Sequence, residues 1–305
     1  MGVDLMKNKK LFTKRAILSL TLIFTLAFTA CNSGNSLHNN QNNESSIIDT
    51  DIDTDKELKV EDFFPFQKDV YMRYKGTGNE YAEYETYVEF IQDNIMQVRN
   101  LNPGTNTVMV YEIKDGELRL NFSKGEVYYR YDFTDIKDAD KVEVLIKEPI
   151  KKGTSWTLKD GIKRSITEVN KEISTPTGNY TALEITTEYE HSIVKDYYVK
   201  NLGHVKRVFT LKDDSYTVTS ELEKIEKSIP FKETIRFFYP DFLNDRLVYV
   251  DREVELYTNQ DIKSVFEKEL KNIPEGSQLT KPLSENTRLF NIIINDPSDD
   301  IIDSV

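Results

Sequence analysis

Few side chains in this sequence are equipped for chemistry. The 305 residues hold one cysteine, Cys31, and three histidines, His38, His191 and His204. A lone thiol can act as a nucleophile or carry a covalent group, but an internal disulfide needs two. His38 sits in a polar stretch. His191 and His204 sit in strand-like stretches, where surface or edge positions are expected. Carboxylates number 52, so close pairs arise without meaning. In "DTDIDTDKELKVED", Asp51, Asp53 and Asp55 alternate as at the start of a calcium loop. Lys56 then stands where that loop needs glycine, and Asp62 where it needs a bidentate glutamate. "DFTDIKDAD", from Asp132 to Asp140, reads as a solvated acidic loop. The sequence contains no nucleophile elbow, phosphate loop, dinucleotide fingerprint or zinc-helix motif. No acid, base and orienting group fall at a catalytic spacing. The expectation is a protein with no catalytic residues, no metal and no cofactor.

The setting of Cys31 gives its thiol a purpose. Lys7, Lys9, Lys10, Lys14 and Arg15 precede an apolar run of 15 residues, "AILSLTLIFTLAFTA", from Ala16 to Ala30. As a helix it would reach about 22 Å, short of the roughly 20 residues that span a bilayer. A basic start, a short apolar core and small residues at the end describe a secretory signal. "FTAC" resembles the bacterial lipoprotein signal, in which the cysteine is acylated and becomes the new N-terminus. Thr29 and Ala30 fit that pattern, and Phe28 replaces the usual leucine. Cys31 is therefore expected to be the lipid-attachment site. Two or more acyl chains, at about 0.8 kcal/mol per buried CH2, anchor stably where one chain is marginal.

Five of the 40 basic and one of the 52 acidic residues lie before Cys31. From residue 31 onward the balance is 35 against 51, a formal charge of −16. Such a body repels phosphate and is not a nucleic-acid binder by bulk electrostatics. It is equally repelled by anionic headgroups, which suits a globule held outside the cell by its anchor. The only expected membrane contact is the lipid.

The texture of the chain divides it into four parts. Residues 1–30 are the signal. Residues 31–58 are rich in Asn, Ser and Asp and too poor in apolar groups to offset ordering entropy, so they form a flexible linker. Residues 59–228 carry short runs of β-branched and aromatic residues, often alternating with polar ones: "VYMRYKG", "YAEYETYVEF", "EVYYRYDF", "YTALEITTEYE" and "HVKRVFTL" are examples. "KDGE" and "KDDS" punctuate them as turns. The expected fold class is mainly β, an antiparallel sheet forming a sandwich or an open barrel. Trp156, in "KKGTSWTLKDG", reads as a core anchor. Tyr128, Tyr129 and Tyr131 are too irregular for a binding stripe. Residues 229–305 read as a small α+β module: strands near Thr234–Tyr239 and Arg246–Tyr257, a helix, and a third strand, "TRLFNIII", giving β-β-α-β. Thr258 is placed to cap the helix with Asp261 as partner. Ile262, Val265, Phe266, Leu270 and Ile273 form its apolar stripe, and Pro274 and Gly276 end it.

This last segment resembles the GerMN domain of sporulation and spore-germination lipoproteins. "IRFFYPDFLNDRLVYVDREV", "DIKSVFEKELKNIPEG" and "PLSENTRLFNIII" carry the likeness, with Arg252, Pro282, Thr287 and Leu289 at the matching positions. The family's Gly-Pro after the helix is replaced by "KNIPEG", and its further strand, helix and strand have no counterpart, so the module reads as partial. The β region resembles the segment preceding GerMN in some clostridial-type lipoproteins, through "KEPIKKGTSW" and "DYYVKNLGHVKRVF". The resemblance implies a non-catalytic interaction or scaffold role, with envelope or sporulation proteins as partners. A ligand-binding or chaperone-like surface lipoprotein using the β domain is the alternative, and an envelope hydrolase the third. A closed sheet around a deep pocket favours ligand binding. A flat, edge-exposed surface favours assembly. Two carboxylates facing each other at about 5 to 9 Å would indicate a hydrolase.

Overall fold

The computed structural model describes residues 57–136 and 142–293. Cys31, His38 and the Asp51–Asp55 alternation lie outside these residues.

The alternating runs form strands because each places one row of side chains inward and one outward. The first six are β1 (Val70–Thr77), β2 (Tyr84–Gln92), β3 (Ile95–Leu101), β4 (Asn106–Lys114), β5 (Glu117–Lys124) and β6 (Glu143–Lys147). The second six are β7 (Ser155–Thr157), β8 (Lys163–Thr175), β9 (Gly178–Glu188), β10 (Ser192–Val199), β11 (Gly203–Leu211) and β12 (Thr217–Lys227). Each set is a meander, and the two are joined where β1 pairs with β12 from Val70↔Lys227 to Thr77↔Thr219. The result is one 12-stranded antiparallel sheet in the order β6-β5-β4-β3-β2-β1-β12-β11-β10-β9-β8-β7. The mainly β reading holds, in the open-barrel form: the sheet curls until it nearly closes.

Side chains join the two edges. The Val144 carbonyl on β6 accepts from Trp156 Nε1 (3.0 Å) on β7 and from Arg164 Nη1 (2.8 Å) on β8. Arg164 Nη2 also holds Glu143 at 2.5 Å. Trp156 is thus a core anchor, as expected, and a seam donor as well. One part of the core fills the interior with Leu118, Ile146, Ile166, Leu183 and Ile185 from both meanders. The short helix α1 (Val60–Phe63) inserts Val60 and Phe63 among them. Its position is fixed by Val60 N–H donating to Glu148 Oε1 (2.9 Å) and Asn201 N–H donating to the Asp62 carbonyl (2.7 Å).

Three expectations are corrected. "EVYYRYDF" forms no strand. It lies across the outer face of the sheet, with its backbone held by side chains. Arg99 donates to the Val127 and Tyr129 carbonyls, and Gln97 donates to the Tyr131 carbonyl and accepts from Phe133 N–H. Arg99 and Gln97 are both anchored on the fully buried Glu89 at 2.7 and 2.8 Å. The second correction concerns "TRLFNIII". The C-terminal module has β13 (Phe231–Asp241) paired with β14 (Arg246–Leu256), then α2 (Ile262–Lys271). Through residue 293 the expected third strand is absent, because the chain follows the helix instead: Leu289 N–H donates to Glu267 Oε2 (3.0 Å). Of the expected stripe, Val265, Phe266, Leu270 and Ile273 pack on Phe237, Tyr239, Val254 and Leu256, and Ile262, in the first turn, stands outside that cluster. Third, Thr258 does not cap α2; Asp261 does, accepting from Lys263 N–H (2.9 Å). Thr258 instead docks the module on the barrel. It exchanges two bonds with Asp69 (2.7 and 2.8 Å) and donates to the Val88 carbonyl (2.8 Å).

Candidate ligand site in the barrel lumen

Where the core stops, the interior stays open. The lumen has a volume of about 500 Å3, within the range of small-molecule sites. Strict alternation builds its walls. Met72 and Tyr74 point in from β1, and Thr86 and Val88 from β2. Met96 and Val98 do the same on β3, and Met109 and Tyr111 on β4. On the far side the intervening residues Glu89, Gln97 and Arg99 form the outer network described above. Strands β3 and β4 are therefore covered on both faces: outward Gln97 and Arg99 belong to the polar network, while outward Val108 and Val110 pack on Val127 and Phe133. Phe64 and Pro65, following α1, also border the lumen.

One wall is polar. Arg207 on β11 lies directly opposite Asp196 on β10. Arg207 donates to Asp196 through Nε at 2.7 Å and Nη2 at 3.1 Å. His204 Nε2 contacts the same carboxylate at 3.0 Å. Asp196 is buried, yet the Arg207 side chain keeps 53 % of its surface, and that residue lines the lumen. Burial by itself would raise the Asp196 carboxyl, but Arg207 and His204 outweigh it and hold the group well below the usual carboxylate range. Asp196 in turn pushes the Arg207 guanidinium upward. Both stay charged at neutral pH.

Tyrosines surround this pair. Tyr74 stacks on Tyr84 at 4.3 Å and donates to the His204 carbonyl at 2.7 Å. Tyr198 meets the His204 ring edge-on at 5.2 Å. Burial raises Tyr74, Tyr84 and Tyr198, and pushes Tyr111 up to about 12, so all four carry hydroxyl protons at neutral pH. The Tyr111 hydroxyl rests on Met109 Sδ at 3.0 Å. Glu143, also at the lumen, is committed to Arg164.

His204 is thus neither a surface nor an edge residue: its environment is the lumen wall. His191 is exposed, beside Glu190 at 3.5 Å. Tyr128 and Tyr131 are exposed outside the barrel and form no stripe. Asp132 caps its own turn, accepting from Thr134 N–H at 2.9 Å, and takes Gln92 at 2.8 Å; residues 137–141 of that loop lie outside the described set. Among the described residues no cluster of His, Cys, Asp and Glu could hold a metal. A depression of about 430 Å3 between β14 and α2 is lined largely by Glu253, Glu255, Lys268 and Glu269, with no continuous apolar wall.

Sequence reasoning missed Asp196 and Arg207. Their signal is two charges within strand-like runs of one hairpin, "KDYYVKNLGHVKRV". The turn register, set by Val199↔Gly203 and Tyr198↔His204, would place Asp196 opposite Lys206. A bulge between Tyr197 and Tyr198 shifts the ladder and brings in Arg207.

No family model matches the chain. None of the curated proteins matches it. Two solved structures are similar to it, both at a TM-score of 0.33. One, described as a "putative lipoprotein" from Parabacteroides distasonis, is 14 % identical, with 54 % of this chain and 98 % of that one covered. The other, described as a "putative exported protein with YmcC-like fold" from Bacteroides fragilis, is 13 % identical, with 54 % of this chain and 99 % of that one covered.

Proposed function

We propose that this protein is an extracytoplasmic lipoprotein, anchored through Cys31, that holds a largely apolar small molecule inside its β barrel. The observation that carries this reading is the lumen: about 500 Å3 walled by inward-facing Met, Val and Tyr side chains from successive strands. A sheet that needed only to be stable would fill that space, since an open interior forfeits dispersion contacts. Methionines suit a site that must adapt to a flexible guest. The test is uptake of a fluorescent polyene fatty acid by the protein. Saturable binding at one probe per chain is expected. Met109→Trp, which places a large ring in the lumen, should abolish it without changing the far-ultraviolet circular dichroism. Uptake that does not saturate, or that survives Met109→Trp in a folded chain, would reject the lumen as the site.

The assembly role implied by the GerMN resemblance is the second reading. It is favoured by the outer face of the β13–β14 hairpin, where Phe238, Leu247 and Tyr249 are exposed together. Under that reading the role lies in sporulation or germination, and the Met109→Trp chain would retain it.

A further inference from the structure

Resting on the ligand-binding reading, we infer that the lumen takes a single-chain amphiphile whose anionic oxygen head sits on Arg207. A guanidinium has five donors. Asp196 engages only the Nε/Nη2 side of Arg207. The Nη1/Nη2 end is left with two parallel N–H groups, the geometry that grips a carboxylate or phosphate in two bonds. Half of the side chain's surface remains uncovered in a residue that lines the cavity. A purely structural ion pair has no need of that opening.

The neighbours select the head's charge. The Tyr84 and Tyr198 hydroxyls keep their protons and have no hydrogen-bond partner among the described residues, so both can donate to a head on Arg207. Asp196 is shared between Arg207 and His204, which leaves it little capacity for a cationic ligand. An ammonium head would also face the guanidinium. Away from this wall, Met72, Met96 and Val98 supply the apolar track for a chain.

Titration calorimetry with matched twelve-carbon probes isolates the head. Dodecanoate or dodecyl phosphate should bind about tenfold or more tightly than dodecanol or dodecylamine, the margin of a charge-assisted bidentate contact. The preferred anion distinguishes a free fatty acid from a phosphate-headed lipid. Arg207→Gln should reduce the anionic probes to the level of dodecanol and leave dodecanol unchanged. If Arg207→Gln misfolds, the paired variant Asp196→Asn/Arg207→Gln, which strands no buried charge, replaces it with the same expected result. Equal affinity for dodecanol and dodecanoate would overturn the head assignment while sparing the lumen. Binding of none of the four would remove the lumen reading itself.

Discussion

Asp196 shows how one buried carboxylate is kept charged by its neighbours. Desolvation disfavours its charge, and only the guanidinium of Arg207 and the ring of His204 make ionisation favourable. Its folded pKa lies below the unfolded value of about 3.9. The stability it contributes is therefore present above that value and is lost as pH falls toward the folded pKa. Asp196→Asn should cost about 2 kcal/mol near neutrality, since it leaves Arg207 without its partner but in contact with the lumen rather than sealed away. In urea titrations this difference should shrink below about pH 4. A variant as stable as the parent at pH 7 would mean that the pair does not hold the β10–β11 hairpin.

Among the elements, the edges of the sheet carry the most physical weight. An unpaired edge strand is a template for another chain. Here β6 and β7 are adjacent in sequence yet share no main-chain ladder, and Trp156 and Arg164 bridge them through one carbonyl, that of Val144. Trp156→Phe keeps most of the packing and deletes one donor. It should cost about 1 kcal/mol and speed amide hydrogen exchange in β6 and β7 more than in β1 and β12. Uniform exchange across the sheet would show that packing, not the indole N–H, holds the seam. Most of the strands were legible in the sequence, because alternation in "YETYVEF" or "NTVMVYEI" favours an extended backbone with one buried face. "EVYYRYDF" alternates just as well and still forms no strand: Arg99 and Gln97 bond its Val127, Tyr129 and Tyr131 carbonyls, and among the described residues a single main-chain bond, from Val127 N–H to the Asn106 carbonyl, ties it to β4. Local pattern records a preference for extended backbone, and the partner that satisfies it lies elsewhere in the chain. Thr258 makes the same point. A good capping residue by type, it bonds instead to Asp69 and Val88, more than 160 residues away in sequence.

For the molecule as a whole, the inferred anchor and the acidic body act together. A globule of formal charge −16 from residue 31 onward has no electrostatic hold on anionic lipid, so under the proposed function attachment would rest on acyl chains at Cys31. Cys31→Ser should move the protein from the membrane fraction to the soluble one, and mass spectrometry of the parent should find diacylglyceryl on that residue. Membrane association that persists in Cys31→Ser would reject the anchor. Among the described residues no helix is long and apolar enough to cross a membrane.

The sequence by itself determined the strand-rich class and the packing stripe of α2. Each depends on residue type and near-neighbour spacing alone. Only the tertiary structure decided that the sheet curls around an open space, that Trp156 and Arg164 stitch its edges, and that Arg207 meets Asp196 facing inward. These depend on register, and a single bulge at Tyr197–Tyr198 changes which charge stands opposite Asp196. Side-chain alternation repeats every two residues, so it says which residues share a face; it cannot say what that face encloses.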